Sequence, residues 1–321
     1  MGLSEQTLIE RYFHDIGAAR DDVILGVGDD AAVLQPAPGY ELVATTDTLV
    51  AGVHFPDDCP PAALGYRALA VNLSDLAAMG AAPAWALLAL TLPEAEEGWL
   101  GEFAAALGAL ARQHGVTLVG GNTTRGPLSI TVQLLGSVPR GRALRRSGAQ
   151  VGDALFVSGT PGDAAGGLAV LQGQLAVAAP WGEQLRERFL RPTPRLALGA
   201  ALRDWASACI DVSDGLLGDA AKLAAASGVG LCIEWQAVPV SAALGMALAP
   251  EPARQLALTG GDDYELCFAV PPARVAPLQA ALPPTHWGYT RIGTLEAQSG
   301  ARIVRDGTVM DFSHSGYQHF R

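Results

Sequence analysis

Aspartates gather in the first quarter of the chain in a setting typical of metal-assisted chemistry. Asp29 and Asp30 lie in GVGDDAAVL, Asp47 lies in TTDTLVAGVHF, and Asp75 lies in AVNLSDLAAMGA. No lysine or arginine lies between positions 20 and 67 to neutralise the first three. Carboxylates beside apolar runs are costly unless a cation pairs with them, and carboxylate and hydroxyl oxygens are the ligands that Mg²⁺ prefers. This stretch therefore predicts a magnesium cluster that faces a phosphorylated ligand.

The carboxylate of Asp47 and the hydroxyl of Thr45 are expected on one face of a strand over Glu41–Val50. Side chains alternate between the two faces of a strand, so residues two apart can aim at one ion. The alternative is a strand end at which the hydroxyls of Thr45 and Thr46 bond locally. Asp75 belongs to a predicted helix, and its apolar neighbours indicate partial burial rather than an ordinary exposed position.

Three further motifs place glycines beside acids or amides. Gly121 and Asn122 lie in GGNTTRGPLS, which is predicted as a loop whose glycines let backbone amides approach a phosphate or a base; the alternative is a hairpin turn. Asp211 and Asp214 lie three apart in DVSDG at a predicted helix start, which suits a cation. The amides of that helix start would add a phosphate site. Asp262 lies in GGDDYELCF, where acids again follow glycines.

Two domains must position these motifs. At 321 residues, of which 50% are apolar, the chain exceeds one typical core, and we place the domains at 1–139 and 140–321. The predicted fold class is α+β. In the first domain, periodicity predicts helices over 4–13, 60–79 and 94–114 and extended segments over 23–34, 41–50, 85–92, 116–119 and 128–138. In the second, it predicts helices near 171, 181–191, 194–205, 222 and 273–282 and strands over 153–158, 208–212, 229–235, 291–295 and 302–304.

Composition excludes several classes of protein. The net charge of −11 argues against a nucleic-acid partner, which would want a basic face. Lys222 is the only lysine, so there is no GxxxxGK[ST] loop, and any phosphate must be held by metals, arginines or backbone amides. The cysteines form no CxxC pair and the histidines lack ligand spacing, which argues against a zinc site. Unpaired thiols indicate a reducing cytoplasm, and no apolar run reaches the ~20 residues that span a membrane.

Taken together, the motifs resemble the thiamine-monophosphate kinase family along the whole chain. The similarity rests on GVGDDAAVL, TTDTLVAGVHF, AVNLSDLAAMGA, GGNTTRGPLS, GRALRRSGA, SGTPGDAAGGL, RPTPR, DVSDGL, GGDDYELCF and the terminal GYQHF. That family belongs to the superfamily typified by aminoimidazole ribonucleotide synthetase. The resemblance implies two α/β-layered domains, with the second completing the active site, and a homodimer joined through the strands of the N-terminal domains. It also implies direct, Mg²⁺-assisted transfer of the ATP γ-phosphoryl group to thiamine monophosphate.

The resemblance further implies a role for each matching residue. The Mg²⁺ ligands would be Asp30, Thr45, Thr46, Asp47, Asp75, Asn122, Asp211 and Asp214. ATP would contact Gly121, Asn122, Arg146 and Ser213, and the thiamine phosphate would contact His54, Asp262 and Tyr317. No general base is implied, because the acceptor phosphate is already ionised. Two residues depart from the family pattern: Asn122 stands where Asp is usual, and Asp262 stands where Glu is common.

Other classes of function remain open. Another ATP-dependent enzyme of the superfamily would need a different acceptor pocket, and a selenophosphate synthetase would need a reactive N-terminal cysteine, whereas the first cysteine here is Cys59. A non-catalytic protein that binds divalent cations or nucleotides could carry the same acids. On residue type alone, His54 is a surface histidine and Arg146 belongs to a solvated run of charge. Formation of thiamine diphosphate from ATP, Mg²⁺ and thiamine monophosphate separates these alternatives.

Overall fold

The computed structural model describes residues 5–310 and divides them into two compact units. One unit holds the described residues up to Leu76 together with Ala81–Arg142, and the other holds Ala77–Gly80 and the described residues from Ala143 onward. Ser4, the first residue of the helix predicted over 4–13, and Tyr317, the expected substrate contact, lie outside the described residues. Within 5–310, no helix combines the length and the apolar character needed to cross a membrane.

A four-stranded sheet organises the first unit. Its strands run in the order β3-β6-β4-β5 and are antiparallel except for the pair β4–β5, and β1 and β2 form a separate ribbon. The elements up to residue 142 are α1 (Glu5–Tyr12), β1 (Val23–Leu25), β2 (Val33–Leu34), β3 (Tyr40–Val50), α2 (Pro61–Ala78), β4 (Ala82–Leu92), α3 (Glu97–Gln113), β5 (Thr117–Arg125) and β6 (Ser129–Pro139).

Helices α2 and α3 cover one face of this sheet. Leu69 of α2 and Leu107 of α3 line a small apolar cavity together with Leu88 of β4 and Val132 of β6. α3 begins after Glu96, whose carboxylate accepts hydrogen bonds from two backbone N–H groups of the first turn. The apolar side chains of both helices and of this sheet face therefore form the core of the unit.

The ribbon β1–β2 lies on the opposite face of the sheet. Val23 and Leu34 of the ribbon pack against the buried Trp85 and Val119. The indole Nε1 of Trp85 donates a hydrogen bond of 3.0 Å to Asp22 Oδ1, just before the ribbon starts. This contact fixes the ribbon to the face that the helices leave open.

Strand β5 continues through the glycine pair for which the sequence predicts a loop or a turn. Residues Gly120–Thr124 pair in parallel with Leu87–Thr91 of β4, so the segment is neither the predicted loop nor the alternative turn. The register between the two strands shifts by one residue at Val119, so Val119 has no paired residue on β4. Glycine thus serves here to let two strands approach, a use that a single sequence does not distinguish from a ligand loop.

A seven-stranded sheet organises the second unit. Its order is β13-β12-β9-β11-β7-β10-β8, antiparallel except for β12–β9. The elements are β7 (Ala154–Ser158), α4 (Asp163–Leu171), α5 (Trp181–Leu190), α6 (Leu196–Leu202), β8 (Ala208–Val212), α7 (Leu216–Ala226), β9 (Gly230–Glu234), α8 (Ala242–Ala247), α9 (Pro250–Thr259), β10 (Glu265–Val270), α10 (Pro272–Ala281), α11 (Pro284–Trp287), β11 (Tyr289–Glu296), β12 (Ala301–Arg305) and β13 (Thr308–Val309).

Helices lie on both faces of the second sheet. Leu223 of α7 packs with Ile210 of β8 in one core, and Leu198 of α6 packs with Phe156 and Phe268 in another. Helices and antiparallel strands thus make up both units, which confirms the predicted α+β class. Helices α8, α9 and α11 are not predicted from the sequence.

Candidate active site

Strand β3 and helix α2 bring three of the expected metal ligands together. The Thr45 hydroxyl Oγ1 donates a hydrogen bond of 2.5 Å to Asp75 Oδ2. Thr45 and Asp47 are both half-buried, and both point to the face that α2 covers, as strand alternation predicts. Residues two apart on a strand are separated by about 7 Å. Asp47 therefore lies one strand repeat from the Thr45–Asp75 contact.

The donor atoms of this group fit Mg²⁺ in type. All are oxygens, which suit a hard cation better than zinc. Asn72, one helical turn before Asp75, is 0% exposed, and its Oδ1 has no hydrogen-bond partner among the described atoms. Such an oxygen costs about 1–3 kcal/mol when unsatisfied, so a hydrated ion beside Asp75 would relieve it. The described residues nevertheless contain no group of three or more His, Cys, Asp or Glu side chains that could hold a metal ion.

Asp30 and Thr46 lie apart from that group. Asp30 is exposed in the loop between β1 and β2, where its N–H donates 2.8 Å to Asp29 Oδ1. The argument that Asp29 and Asp30 need a cation because they are surrounded by apolar groups is therefore wrong for the single chain. Thr46 points to the face opposite Thr45, and its hydroxyl donates 3.2 Å to the carbonyl of Val132 on the paired strand β6.

Asn122 lies on the other edge of the sheet and faces away from Asp47. It belongs to a row with Ala89 and Thr48, all three exposed, whereas Asp47 belongs to the next row with the buried Val132. Side chains of one row point to one face of a sheet. Three strand spacings of about 4.8 Å separate β3 from β5, which gives roughly 14 Å. Within one chain, Asn122 and Asp47 therefore do not share an ion.

Gly121 has a structural function on β5. A Cβ atom at Gly121 would lie 1.9 Å from the carbonyl oxygen of Leu88 and 2.7 Å from its carbon, and the residue has φ +153°. Only glycine allows the two strands to approach this closely. The contact of Gly121 with ATP remains a prediction. The close approach of the two strands already explains why this residue is a glycine.

We expect Gly121→Ala to lower the free energy of unfolding by about 1–3 kcal/mol, because the added methyl overlaps the backbone of β4. The matched control is Gly120→Ala, whose Cβ would meet only the flexible Leu87 Cδ2 at 3.1 Å. Urea unfolding of both variants measures the difference. Equal midpoints for the two would show that close strand approach does not explain the glycine at 121.

His54 lies in the turn after β3 and has a defined donor atom. The N–H of Val50 donates 3.0 Å to His54 Nδ1, and the N–H of His54 donates 3.0 Å to the carbonyl of Val50. A backbone amide can only donate, so the neutral ring carries its proton on Nε2. The half-buried ring can therefore offer an Nε2–H donor to an anionic oxygen.

Two loops of the second unit bring four predicted site residues together. The N–H of Asp262 donates 2.8 Å to the carbonyl of Ser213, and β10 pairs with β8 directly beyond. Asp211, at 4% exposed, is the penultimate residue of β8, and Asp214 follows in the turn to α7. The DVSDG and GGDDY motifs, about fifty positions apart in sequence, thus form one edge of the sheet.

Lys222 and Asp219 hold the turn between β8 and α7. Asp219 Oδ2 accepts the N–H groups of Ser213 at 3.0 Å and Asp214 at 2.9 Å. Lys222 Nζ donates 2.6 Å to Asp214 Oδ2 and 2.8 Å to Asp219 Oδ1. Burial raises the pKa of Asp219, although its hydrogen bond from Lys222 opposes the shift. The N–H groups of Ser213 and Asp214, which precede the first turn of α7, are therefore already bound to a carboxylate.

The segment that carries Arg146 runs beside β8. The carbonyl of Arg145 accepts 2.8 Å from the N–H of Cys209, and the carbonyl of Arg146 accepts 3.1 Å from the hydroxyl of Ser227. The side chain of Arg146 is exposed. Its main chain is thus fixed close to the start of β8, while its guanidinium projects to solvent.

A fully buried carboxylate anchors the GGDDY loop at its other end. Glu265, 0% exposed, accepts two hydrogen bonds of 2.6 Å from Arg195, one of 2.6 Å from Arg188 and one of 2.5 Å from the Ser158 hydroxyl. Burial alone would raise the pKa of Glu265, but the two arginines outweigh burial and lower it. This cluster forms entirely within the second unit.

The loop between these anchors has an uncommon backbone. Asp262 and Tyr264 have φ of 70° and 52°, in the left-handed region that non-glycine residues seldom adopt. Between them, the buried Asp263 accepts the N–H groups of Gly162 at 2.7 Å and Ala164 at 3.1 Å, and burial raises its pKa well above its usual value. The conformation that presents Asp262 is thus held from both sides.

Sequence reasoning missed Lys222, Asp219 and the Glu265 cluster as parts of this region. The spacing of Asp219 and Lys222, three apart on a helix, is a signal that could have found their pair. No local signal identifies the partners of Glu265, because Arg188 and Arg195 lie 77 and 70 positions away.

Comparison with known proteins gives the family. The model for AIR synthase related protein, N-terminal domain, matches residues 28–138, and the model for its C-terminal domain matches residues 150–306. The thiamine-monophosphate kinase of Salmonella typhimurium is 50% identical and is matched over 100% of this chain and 99% of its own. That of Haemophilus influenzae is 41% identical, with 100% and 99% covered.

Solved structures agree with the sequence comparison. Thiamine-monophosphate kinase from Stenotrophomonas maltophilia has a TM-score of 0.85 at 47% identity over 97% of this chain and 99% of that one. AaThiL complexed with AMPPCP and TMP has a TM-score of 0.78 at 35% identity over 92% of each chain. The hydrogenase maturation protein HypE, at 20% identity and a TM-score of 0.76, shares the fold. The chain therefore belongs to the thiamine-monophosphate kinase family, whose domains are of the AIR synthase related type.

Proposed function

We propose that this protein transfers the γ-phosphoryl group of ATP to the phosphate of thiamine monophosphate and releases thiamine diphosphate. The observation that carries the proposal is the full-length similarity to thiamine-monophosphate kinases, one of which, AaThiL, is complexed with AMPPCP and TMP. The oxygen-donor group of Thr45, Asp47 and Asp75 supports it, because phosphoryl transfer between two anions needs cations more than it needs a base.

The proposed metal-binding residues would act by holding positive charge between the two phosphates. When bound, Mg²⁺ would supply the positive charge that lets the two phosphates approach. Asp47 and Asp75 would hold one ion, and Asp30, Thr46 and Asp211 are assigned to Mg²⁺ by their motifs alone. No side chain is assigned to remove a proton, because the accepting phosphate oxygen is ionised at neutral pH.

Contacts to the two substrates are proposed residue by residue. Ser213, Arg146 and the main chain at Gly121 are assigned to ATP. His54 would donate from Nε2 to the phosphate of thiamine monophosphate, and Asp262 would contact the same substrate. Tyr317 is assigned to that substrate by its motif alone.

Turnover of defined substrates tests the function directly. Purified full-length protein is incubated with ATP, Mg²⁺ and thiamine monophosphate, and thiamine diphosphate is measured by chromatography. We expect stoichiometric formation of thiamine diphosphate and ADP. ATP consumption without thiamine diphosphate would favour another enzyme of the superfamily, and binding of MgATP without turnover would favour a non-catalytic binding protein.

We expect His54→Ala to raise KM for thiamine monophosphate about 10–100-fold, because a hydrogen bond to a charged oxygen contributes about 1.5–3 kcal/mol. KM for ATP should change little. Steady-state kinetics with each substrate varied in turn measures both values.

The matched control for this prediction is His54→Asn. An Asn oxygen can replace Nδ1 as the acceptor for the Val50 N–H, but it leaves no donor at the Nε2 position. We expect the Asn variant to show the same increase in KM for thiamine monophosphate as the Ala variant. Normal kinetics in the Asn variant would show that His54 only closes its turn.

We also propose that the protein is a homodimer in which Asn122 of one copy approaches Asp47 of the other. β3 ends the strand order of its sheet and exposes Tyr40 and Leu42, and the ribbon exposes Ile24. A long apolar edge strand needs a cover, and a two-fold axis brings the same surface of both copies together. Such pairing offers Asn122 a route to a metal group that it does not approach within its own chain.

Mixing two inactive variants tests shared sites. We expect Asp47→Ala and Asn122→Arg to be inactive alone and to recover about a quarter of wild-type activity after subunit exchange, because half the dimers are hybrids with one intact site. Native mass spectrometry confirms that hybrids form. Inactive hybrids would place the two residues in separate sites, and a monomer in ultracentrifugation would exclude the dimer.

The cytoplasm is the proposed compartment. All 4 cysteines are free, and Cys209 and Cys267 are buried in the second unit. Unpaired buried thiols persist in a reducing compartment. Detection of the native protein in the soluble fraction of fractionated cells, and not with the membranes, checks the assignment.

A further inference from the structure

The carboxylate of Asp214, expected as a metal ligand, already has a cation. Lys222 Nζ lies 2.6 Å from Asp214 Oδ2 and 2.8 Å from Asp219 Oδ1, so one ammonium joins both side chains. Asp219 is 1% exposed, and its other oxygen accepts the N–H groups of Ser213 and Asp214. The ammonium therefore belongs to a bonded unit that fixes the turn between β8 and α7.

A divalent ion and this ammonium compete for the same place. Mg²⁺ binds oxygens at about 2.0–2.1 Å in a near-octahedral shell, so an ion shared by Asp214 Oδ2 and Asp219 Oδ1 would overlap the volume of Nζ. With the ammonium present, the two carboxylates and Lys222 carry a net charge of one negative unit. Without it, two negative units, one of them on the buried Asp219, would favour a dication.

We propose that Lys222, and not a divalent ion, neutralises Asp214 in this protein, and that Lys222 is a positioning residue for the Ser213–Asp214 turn. The proposal deepens the proposed function and rests on it in taking this turn as part of the phosphate-transfer site. Lys222, the only lysine of the chain, then acts as a fixed cation that does not exchange with metal ions in solution. Asp214 then leaves the set of Mg²⁺ ligands, while Asp30, Asp47, Asp75 and Asp211 stay in it.

Counting bound Mn²⁺ tests this without any turnover. Mn²⁺ is titrated into full-length protein without ATP or thiamine monophosphate. Electron paramagnetic resonance measures the Mn²⁺ that stays free, and the bound number follows by difference. We expect Asp214→Asn to bind as many ions as wild type. We expect Lys222→Met, which keeps the apolar stem and loses the charge, to bind one more ion. The double variant Lys222→Met/Asp214→Asn should return to the wild-type number, and Lys222→Arg should not exceed it.

Two results would overturn the proposal. One is a lost ion in Asp214→Asn, which would make Asp214 a metal ligand despite Lys222. The other is an unchanged count in a folded Lys222→Met protein. If Lys222→Met does not fold, the count for Asp214→Asn alone decides, because a carboxylate paired with Lys222 contributes no ion.

Kinetics separates positioning from mere support of the fold. We expect Lys222→Met to raise KM for ATP about tenfold and to change its dependence on free Mg²⁺, with Lys222→Arg restoring most of the affinity. An equal loss in both variants with unchanged Mg²⁺ dependence would contradict the positioning role. Since the Mn²⁺ count uses no substrate, a wild-type protein that lacks thiamine-monophosphate kinase activity would refute the proposed function and leave this assignment standing.

Discussion

Asp47→Ala should abolish turnover and leave the fold intact. Asp47 lies on the face of β3 that α2 covers, one strand repeat from the contact between Thr45 and Asp75. It is the proposed central ligand of Mg²⁺, whose charge would stabilise the transition state by several kcal/mol. Loss of about 4 kcal/mol corresponds to roughly a thousandfold in rate. We expect kcat to fall by at least about that factor at saturating Mg²⁺, with the thermal midpoint within a few degrees of wild type.

A carboxylate on the same strand provides the control. Glu41 is exposed and accepts a hydrogen bond from the N–H of Gly141, far along β3 from Asp47. We expect Glu41→Ala to retain near-normal activity. Near-normal activity of Asp47→Ala at saturating Mg²⁺ would remove Asp47 from the metal group, and equal losses in both variants would point to general disruption of the strand.

Glu265→Ala should be the most destabilising single change among those considered. The buried carboxylate neutralises Arg188 and Arg195, whose side chains are only 22% and 27% exposed. Removing one partner of a buried ionic cluster typically costs about 3–5 kcal/mol, because the remaining charges lose their counter-ion. We expect a decrease of that size in the free energy of unfolding of the second unit, measured by urea denaturation.

An exposed ion pair at α5, the helix that carries Arg188, is the matched control. Glu187 and Arg191 are 3.6 Å apart at i,i+4 on and just after α5, with both side chains about half exposed. Exposed pairs contribute about 0–1 kcal/mol, so Glu187→Ala should barely change the midpoint. A similar loss in both variants would show that burial does not set the energy of the Glu265 cluster.

The difference between wild type and Glu265→Gln should also depend on pH. The pKa of Glu265 is lowered in the folded protein relative to its ordinary value of 4.5, because Arg195 and Arg188 outweigh burial. The ionised form is thus favoured by folding, so its contribution is complete above that value and is lost as pH falls through the folded pKa. The raised pKa of Asp263 acts in the opposite direction but is common to both proteins. We expect the stability difference to shrink below pH 4.5 and to stay constant above it.

Local periodicity accounts for the part of the site that could be predicted. Alternation along β3 places Thr45 and Asp47 on one face, and the apolar helix α2 explains why Asp75 is half-buried rather than exposed. Both inferences use only the spacing of neighbours. The two-domain α+β organisation follows from chain length and from the sequence of apolar segments in the same way.

Strand order and long-range pairing account for what could not be predicted. The sequence around Asn122 does not reveal that β5 lies on the far edge of the sheet or that this side chain faces away from Asp47. Glycines that let β4 and β5 approach resemble glycines that cradle a phosphate. The partners of Glu265 are brought together only by the folded second unit, because helix and strand periodicities carry no information across seventy residues.

The pairing of Lys222 has a chemical consequence beyond phosphate binding. Reagents that acylate primary amines react with the neutral form, and this chain offers them one side chain among 321 residues. Burial alone would lower the pKa of Lys222, but Asp214 and Asp219 outweigh it and raise the pKa above the ordinary value of 10.5. The ammonium is therefore kept protonated and slow to acylate, although its side chain is 46% exposed. Any label that does attach to a lysine reports on the turn between β8 and α7 and on no other place in the molecule.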